Sequence, residues 1–369
     1  MQRIICIIFL CTSLGCSLIS KQKQGSLSAG DKDQMEKARA EKMQVQQEFN
    51  NALALLDVGK YNQAGRAFKN ILKKYPNTDL ELLIVYNLGG ALEGLKKCDL
   101  AVRRYRQVVQ RSAGKFPKLE ANALLRMSYS YECLGDDAKA VATLIDLQKR
   151  GNVLGKEVVV AEIPARLAAA YSRLGNDYLA QSYFIQAQEG LREINSDLRS
   201  PGKKKELLAK TLFHMGNMQK HSLEKMGIDS FIESQRYLQN YLLMSVEMND
   251  TRWSPRSAEE ILATYEKIYK KIQKEEPKTA NDVKIRQARS RQLELLQGAI
   301  SNIKNLRLQR FSERDEPRIL AVLFDKIKEK EKTFEIEMAR VTRGTNLTKE
   351  ALEREALKLP GRVLEERPH

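Results

Sequence analysis

An alanine that returns at near-constant spacing, always in the same company, constrains this chain more than any other feature. Ala64, Ala101, Ala140 and Ala180 are each followed four positions later by a large side chain, Phe68, Tyr105, Leu144 and Phe184. Three residues further on stand Ile71, Val108, Leu147 and Ala187. Offsets of four and three place all three residues on one face of a helix. The anchoring alanines are 37, 39 and 40 residues apart (64 to 101, 101 to 140, 140 to 180). A second motif precedes three of them: Leu88-Gly89 with Leu92, Met127-Ser128 with Tyr131, and Leu167-Ala168 with Tyr171. A small residue between large ones lets a second helix approach closely. The pattern therefore predicts helix pairs stacked in series, where a plain bundle would show apolar periodicity without this recurrence. Composition agrees, since the chain has only nine prolines and one tryptophan, and Ala, Leu, Lys, Glu, Gln and Arg, all good helix formers, dominate. The fold class is all-α, and a polytopic membrane protein is not indicated.

These motifs resemble the tetratricopeptide repeat, whose basic period is about 34 residues. The surplus falls where one pair joins the next, in loops that absorb insertions at small cost. Pro76 ends the first pair after Tyr75, because proline cannot continue a helix. A degraded fifth unit shows Phe213 and Met215-Gly216, then Phe231, Ser234, Leu238 and Tyr241, and a sixth hairpin is expected near residues 257–273. The resemblance implies an α-solenoid over residues 44–250, followed by a helical extension at 251–310 and a charged helical or partly disordered tail at 311–369. Helices are expected over 283–308 and 317–341, with a last one starting near Thr348 and ending before Pro360. It also implies that the first helix of each pair lines an inner groove that holds a partner's segment. The groove positions would be Phe49, Leu53 and Leu56; Tyr86, Asn87, Gly90 and Glu93; Arg126, Tyr129 and Glu132; and Arg166, Ala169 and Arg173. For Tyr86 and Tyr129, packing between neighbouring helices is the alternative. Phe49 and Leu53 stand where one subtype of the family places residues that clamp a C-terminal carboxylate, so that specificity is not expected.

The first residues read as a targeting segment. Arg3 precedes an apolar run over residues 4–10, too short to span a bilayer. The run gives way to Ser13-Leu14-Gly15-Cys16, then polar Ser17 and a Gly/Ser/Lys/Gln stretch from Lys21 to Gly30. This resembles a bacterial lipoprotein signal of residues 1–15, with Ser13 where the family prefers leucine. It implies that Cys16 receives the lipid and that residues 16–43 form a tether and an N-terminal helix. Ser17 after the cysteine resembles lipoproteins sorted to the outer membrane. The alternatives are an ordinary secretory signal or an uncleaved anchor.

Of five cysteines, Cys6 and Cys11 would leave with the signal, and Cys98 and Cys133 remain in the body. They read as two small buried residues, with pairing across adjacent repeats the alternative. Neither zinc spacing, nor a phosphate loop, nor a nucleophile elbow occurs. His214 and His221 share a helical face two turns apart without completing a ligand set. No cofactor, no metal and no catalysis are expected. The formal net charge of +16 attracts phosphates, lipid head groups or acidic proteins. Because Lys and Arg alternate with Asp and Glu along most of the length, nucleic-acid binding is not expected. The expectation is a membrane-anchored scaffold or adaptor facing the periplasm, recruiting other envelope proteins through its groove. Its rivals are a basic cytoplasmic nucleic-acid-associated repeat protein and a periplasmic carrier of a glycan or peptide.

Overall fold

The computed structural model describes residues 29–196, 201–218, 227–275, 282–308 and 318–343. The expected signal segment, Cys16, His221 and the end of the chain lie outside them. The described residues form thirteen α-helices and one π-helical turn, with no strand among them. They divide into two compact units, the first ending at Gly155 and the second beginning at Lys156.

Unit 1 holds α1 (Ala29–Asp57), α2 (Tyr61–Lys74), α3 (Glu81–Gly94), α4 (Cys98–Ser112), α5 (Pro117–Cys133) and α6 (Asp137–Lys149). Each helix packs against the next, giving three antiparallel pairs. The first helices of successive pairs also touch, α1 on α3 and α3 on α5, whereas the second helices come less close. The first-helix layer is therefore the inner curve of the unit. The repeated alanines account for the close packing. Ala64, Ala101 and Ala140 are fully buried, as are Phe68, Tyr105 and Leu144 four residues on. A Cβ on Gly89 would stand 2.7 Å from the Tyr105 ring, so only glycine admits that ring between α3 and α4. Helix ends follow the sequence cues. Tyr75 closes α2 by donating its N–H to the Ile71 carbonyl, and the Asp136 carboxylate caps α6 by accepting from the Lys139 N–H.

Unit 2 opens with the π-turn Val158–Glu162 and the fourth pair, α7 (Ile163–Leu174) and α8 (Asp177–Ser196). Ala180 is again buried, and a Cβ on Gly190 of α8 would run into the Val160 backbone carbonyl. The fifth pair is α9 (Pro201–Gly216) with α10 (Ile228–Glu247), followed by α11 (Trp253–Lys274), α12 (Asp282–Leu308) and α13 (Arg318–Arg343). Here the stacked pattern gives way to a bundle. Phe231, Ile232, Ile261, Tyr265, Ile268, Leu296, Ile303, Leu323, Ile327 and Phe334 share one core drawn from α10 to α13. The charged run at residues 326–332 is thus the outer face of a packed helix, with Ile327 buried beneath it. No described helix is long and apolar enough to cross a membrane.

Candidate partner-binding surface

The inner layer of unit 1 brings two of the groove positions into direct contact and joins a third to them through Tyr105. Glu93 near the end of α3 accepts a hydrogen bond from the Tyr105 hydroxyl at 3.1 Å, and the Arg126 Nη2 of α5 lies 3.1 Å from the same Oε2. Arg126 Nε reaches the Tyr105 oxygen at 3.5 Å. The Tyr86 ring meets the Tyr105 ring edge-on, with centroids 5.7 Å apart. The site takes shape because Gly89 leaves room on α3 for the Tyr105 ring, whereas a Cβ on Gly90 would make only ordinary contact, 3.8 Å from the Tyr105 hydroxyl. Burial pushes the Tyr86 and Tyr105 hydroxyls up, so both stay protonated at neutral pH. Burial works against the Arg126 charge, but Glu93 and the two tyrosine oxygens outweigh it and hold the guanidinium charged.

The Arg126 side chain keeps 25% of its surface and Glu93 keeps 10%. The cluster is thus a neutralised ion pair at a surface, with guanidinium N–H groups beyond the two contacts left for a ligand's oxygen. Tyr86, Gly90, Tyr129 and Glu132 are half-buried around it. Half-exposed aromatic rings beside a held arginine are the residue types that carry binding energy at protein interfaces. A neutralised pair suits the polar backbone and apolar side chains of a polypeptide better than a polyanion.

Other expected groove residues lie inside the packing, and these placements correct the expectation. Phe49, Leu53 and Leu56 are buried, the Phe49 ring lying 6.0 Å from the Phe68 ring, because α1 turns its apolar stripe onto α2. Asn87 is buried and donates from Nδ2 to the Leu83 carbonyl of its own helix at 2.8 Å. In unit 2, Ala169 is buried and Arg166 has no exposed surface at all. The Arg166 Nη1 stands 3.8 Å from the buried Glu162 carboxylate, which also meets Lys210 Nζ at 2.6 Å. An arginine can be buried only with such compensation. Arg173 is half-buried. His214 of α9 is also buried, its Nε2 without a hydrogen-bond partner. Burial, then the charges of Arg166, Arg173, Lys210 and Arg256, drives its pKa well below the usual histidine value.

Tyr105 is the functional residue that the sequence pattern assigned to the core alone. Phe68, Leu144 and Phe184 occupy its place in the other repeats, and only tyrosine carries a hydroxyl there. A buried hydroxyl needs a partner, which was the available pointer to Glu93.

The two cysteines of unit 1 form a disulfide, Cys98 to Cys133, with Cα atoms 6.2 Å apart. Two small buried thiols were the favoured expectation. Instead, the first residue of α4 and the last residue of α5 meet, and Cys133 is exposed while Cys98 is buried. The bond ties the second pair to the third.

Successive antiparallel pairs, small residues at the crossing and a buried alanine in the second helix of each of the first four pairs reproduce the expected repeat. The pairs resemble tetratricopeptide repeats. Solved structures similar to this chain include a tetratricopeptide repeat protein from Parabacteroides merdae, 14% identical, with 77% of this chain and 98% of that one covered at a TM-score of 0.36. Another is a TPR repeats protein from Bacteroides fragilis, 15% identical, with 80% and 98% covered at a TM-score of 0.28. No family model matches the sequence, and no curated protein matches it. The resemblance rests on the helix pairs themselves.

Proposed function

We propose that this chain is a lipid-anchored scaffold of a bacterial envelope, whose inner layer in unit 1 holds a segment of another envelope protein and which catalyses nothing. The observation that carries the binding role is the constellation of Tyr86, Tyr105, Glu93 and Arg126, an arginine braced by Glu93 and the buried Tyr105 beside the half-buried Tyr86 on the inner curve of stacked pairs. The extracytoplasmic setting is supported by the Cys98–Cys133 bond, since structural disulfides persist in oxidising compartments. It is supported too by the apolar run that ends at Gly15-Cys16. On this reading Cys16 carries the lipid, Ser17 directs the protein to the outer membrane, and the body faces the periplasm, serving envelope assembly, secretion or remodelling.

Two measurements test it. Metabolic labelling with a palmitate analogue is expected to mark the wild type and not Cys16→Ala; equal labelling of both removes the anchor. A photo-crosslinking residue at position 129, beside the cluster, is expected to yield a discrete adduct with one envelope protein, whereas one at exposed Tyr178 of α8 is not. Identical adduct patterns at the two positions would remove the inner layer as the binding face.

A further inference from the structure

Unit 1 has two edges, set by its turns. The turns inside each pair, at residues 58–60, 95–97 and 134–136, lie along one, and those between pairs, after α2, α4 and α6, lie along the other. The inter-pair edge is stitched by ion pairs that use its carboxylates. Lys42 holds Asp79 at 2.8 Å, Lys74 holds Glu48 at 2.9 Å, Arg111 holds Glu81, and Arg150 holds Glu120 and Asp146. What is left over is positive. Lys73, Lys115, Lys118 and Lys149 are all exposed on this edge, and none has a carboxylate partner among the described residues.

Among these lysines stands an exposed aromatic. Phe116 keeps 53% of its surface, between Lys115 and the Pro117 that starts α5. Its position is fixed, because its N–H donates to the Ser112 carbonyl at 2.9 Å and its own carbonyl accepts from the Glu120 N–H. An apolar ring among lysines on an ordered turn is the pattern that partitions into a lipid interface, the ring entering the acyl boundary and the ammonium groups meeting phosphates.

The chain also leaves unit 1 on this edge. α1 becomes buried only from Val45, and Lys42, one turn earlier, pairs with Asp79 in the turn between α2 and α3. From Cys16 to Ala29 are 13 residues, which span at most about 45 Å. The tether of an anchored chain therefore joins unit 1 at this edge.

We propose that the edge of unit 1 formed by Lys73, Lys115, Phe116, Lys118 and Lys149 docks on the anionic phospholipid head groups of the membrane to which the chain is anchored. The setting rests on the lipid-anchor reading above, but the surface chemistry does not. Each lysine near an anionic surface contributes on the order of a tenfold change or slightly less, and the attraction falls with salt.

The test uses the full chain as Cys16→Ser, which takes no lipid, sedimented with vesicles of phosphatidylcholine alone or with roughly a third phosphatidylglycerol. Binding is expected only with phosphatidylglycerol, and it weakens as salt rises. Lys73→Glu with Lys115→Glu and Lys118→Glu is expected to lose about a hundredfold in partitioning, and Phe116→Ser a few-fold more. Lys60→Glu with Lys96→Glu and Lys97→Glu makes the same charge change on the opposite edge and is expected to stay within about threefold of the parent. Equal losses in the two triples, or binding indifferent to phosphatidylglycerol, overturn the proposal. So does a single-stranded oligonucleotide that binds through this edge where vesicles do not. Palmitate labelling is independent of this outcome: loss of labelling with the edge effect intact removes the anchor and keeps the surface, and the reverse removes the surface alone.

Discussion

Tyr105 shows how one oxygen converts a core position into part of a site. The repeat pattern demands a large side chain there, and Phe68 and Leu144 meet that demand in the neighbouring pairs. The tyrosine adds a hydroxyl that fixes Glu93 and Arg126 on the inner surface. Tyr105→Phe is expected to cost about 1–2 kcal/mol of stability, read from a denaturant midpoint, and to weaken the photo-crosslink at position 129 while leaving the helical content unchanged. His214 makes a prediction with a definite sign. Its folded pKa lies below its unfolded value, so the unfolded chain takes up the proton first and stability is lost as pH falls below about 6.5. Between pH 7.5 and 5.5 the wild type is expected to lose stability that His214→Gln retains, by up to about 1.4 kcal/mol per pH unit; parallel pH profiles for the two proteins would contradict it. Periodicity revealed the helix face of each residue but not its depth. Arg166 was assigned to a groove because an arginine needs water or a partner, and the partner, Glu162, sits on a π-turn that no spacing rule foresees.

At the scale of elements, the first six helices follow their sequence pattern closely, since alanine, glycine and the turn residues act locally and each pair repeats the same solution. The sequence offered the disulfide only as the alternative, because 35 residues separate the cysteines and it is the stacking of α4 on α5 that brings them together. Closing a loop of that length stabilises by about 3–4 kcal/mol in the chain-entropy picture. Cys98→Ser with Cys133→Ser is expected to lower the denaturant midpoint correspondingly, and reducing agent to do the same to the wild type alone. If both proteins melt alike with and without reductant, the bond does not brace unit 1. The C-terminal helices were harder to foresee for a different reason. α13 carries a charged run that suggests a solvated tail, yet Leu320, Leu323, Phe324, Ile327 and Phe334 share one helical face and enter a core shared with α10, α11 and α12. Phe334→Ala, emptying a fully buried site, is expected to cost about 3–5 kcal/mol of unit 2 stability.

For the whole molecule, the net charge of +16 has no single explanation. Part of it lies on the inter-pair edge of unit 1, where paired carboxylates leave lysines exposed. Part lies around His214 in unit 2, where several cations surround a buried imidazole. The inner layer of unit 1, by contrast, is electrically balanced through Glu93 and Arg126. A scaffold built this way would use its charge to orient and its aromatics to hold. The most direct measurement is an affinity pull-down from solubilised envelopes, comparing the wild type with Tyr86→Leu, Arg126→Gln and Tyr129→Ala combined, both shown to be folded by circular dichroism. Loss of a discrete partner from the triple variant is the predicted result, and recovery of the same partner in the same amount would contradict the claim that this face binds it.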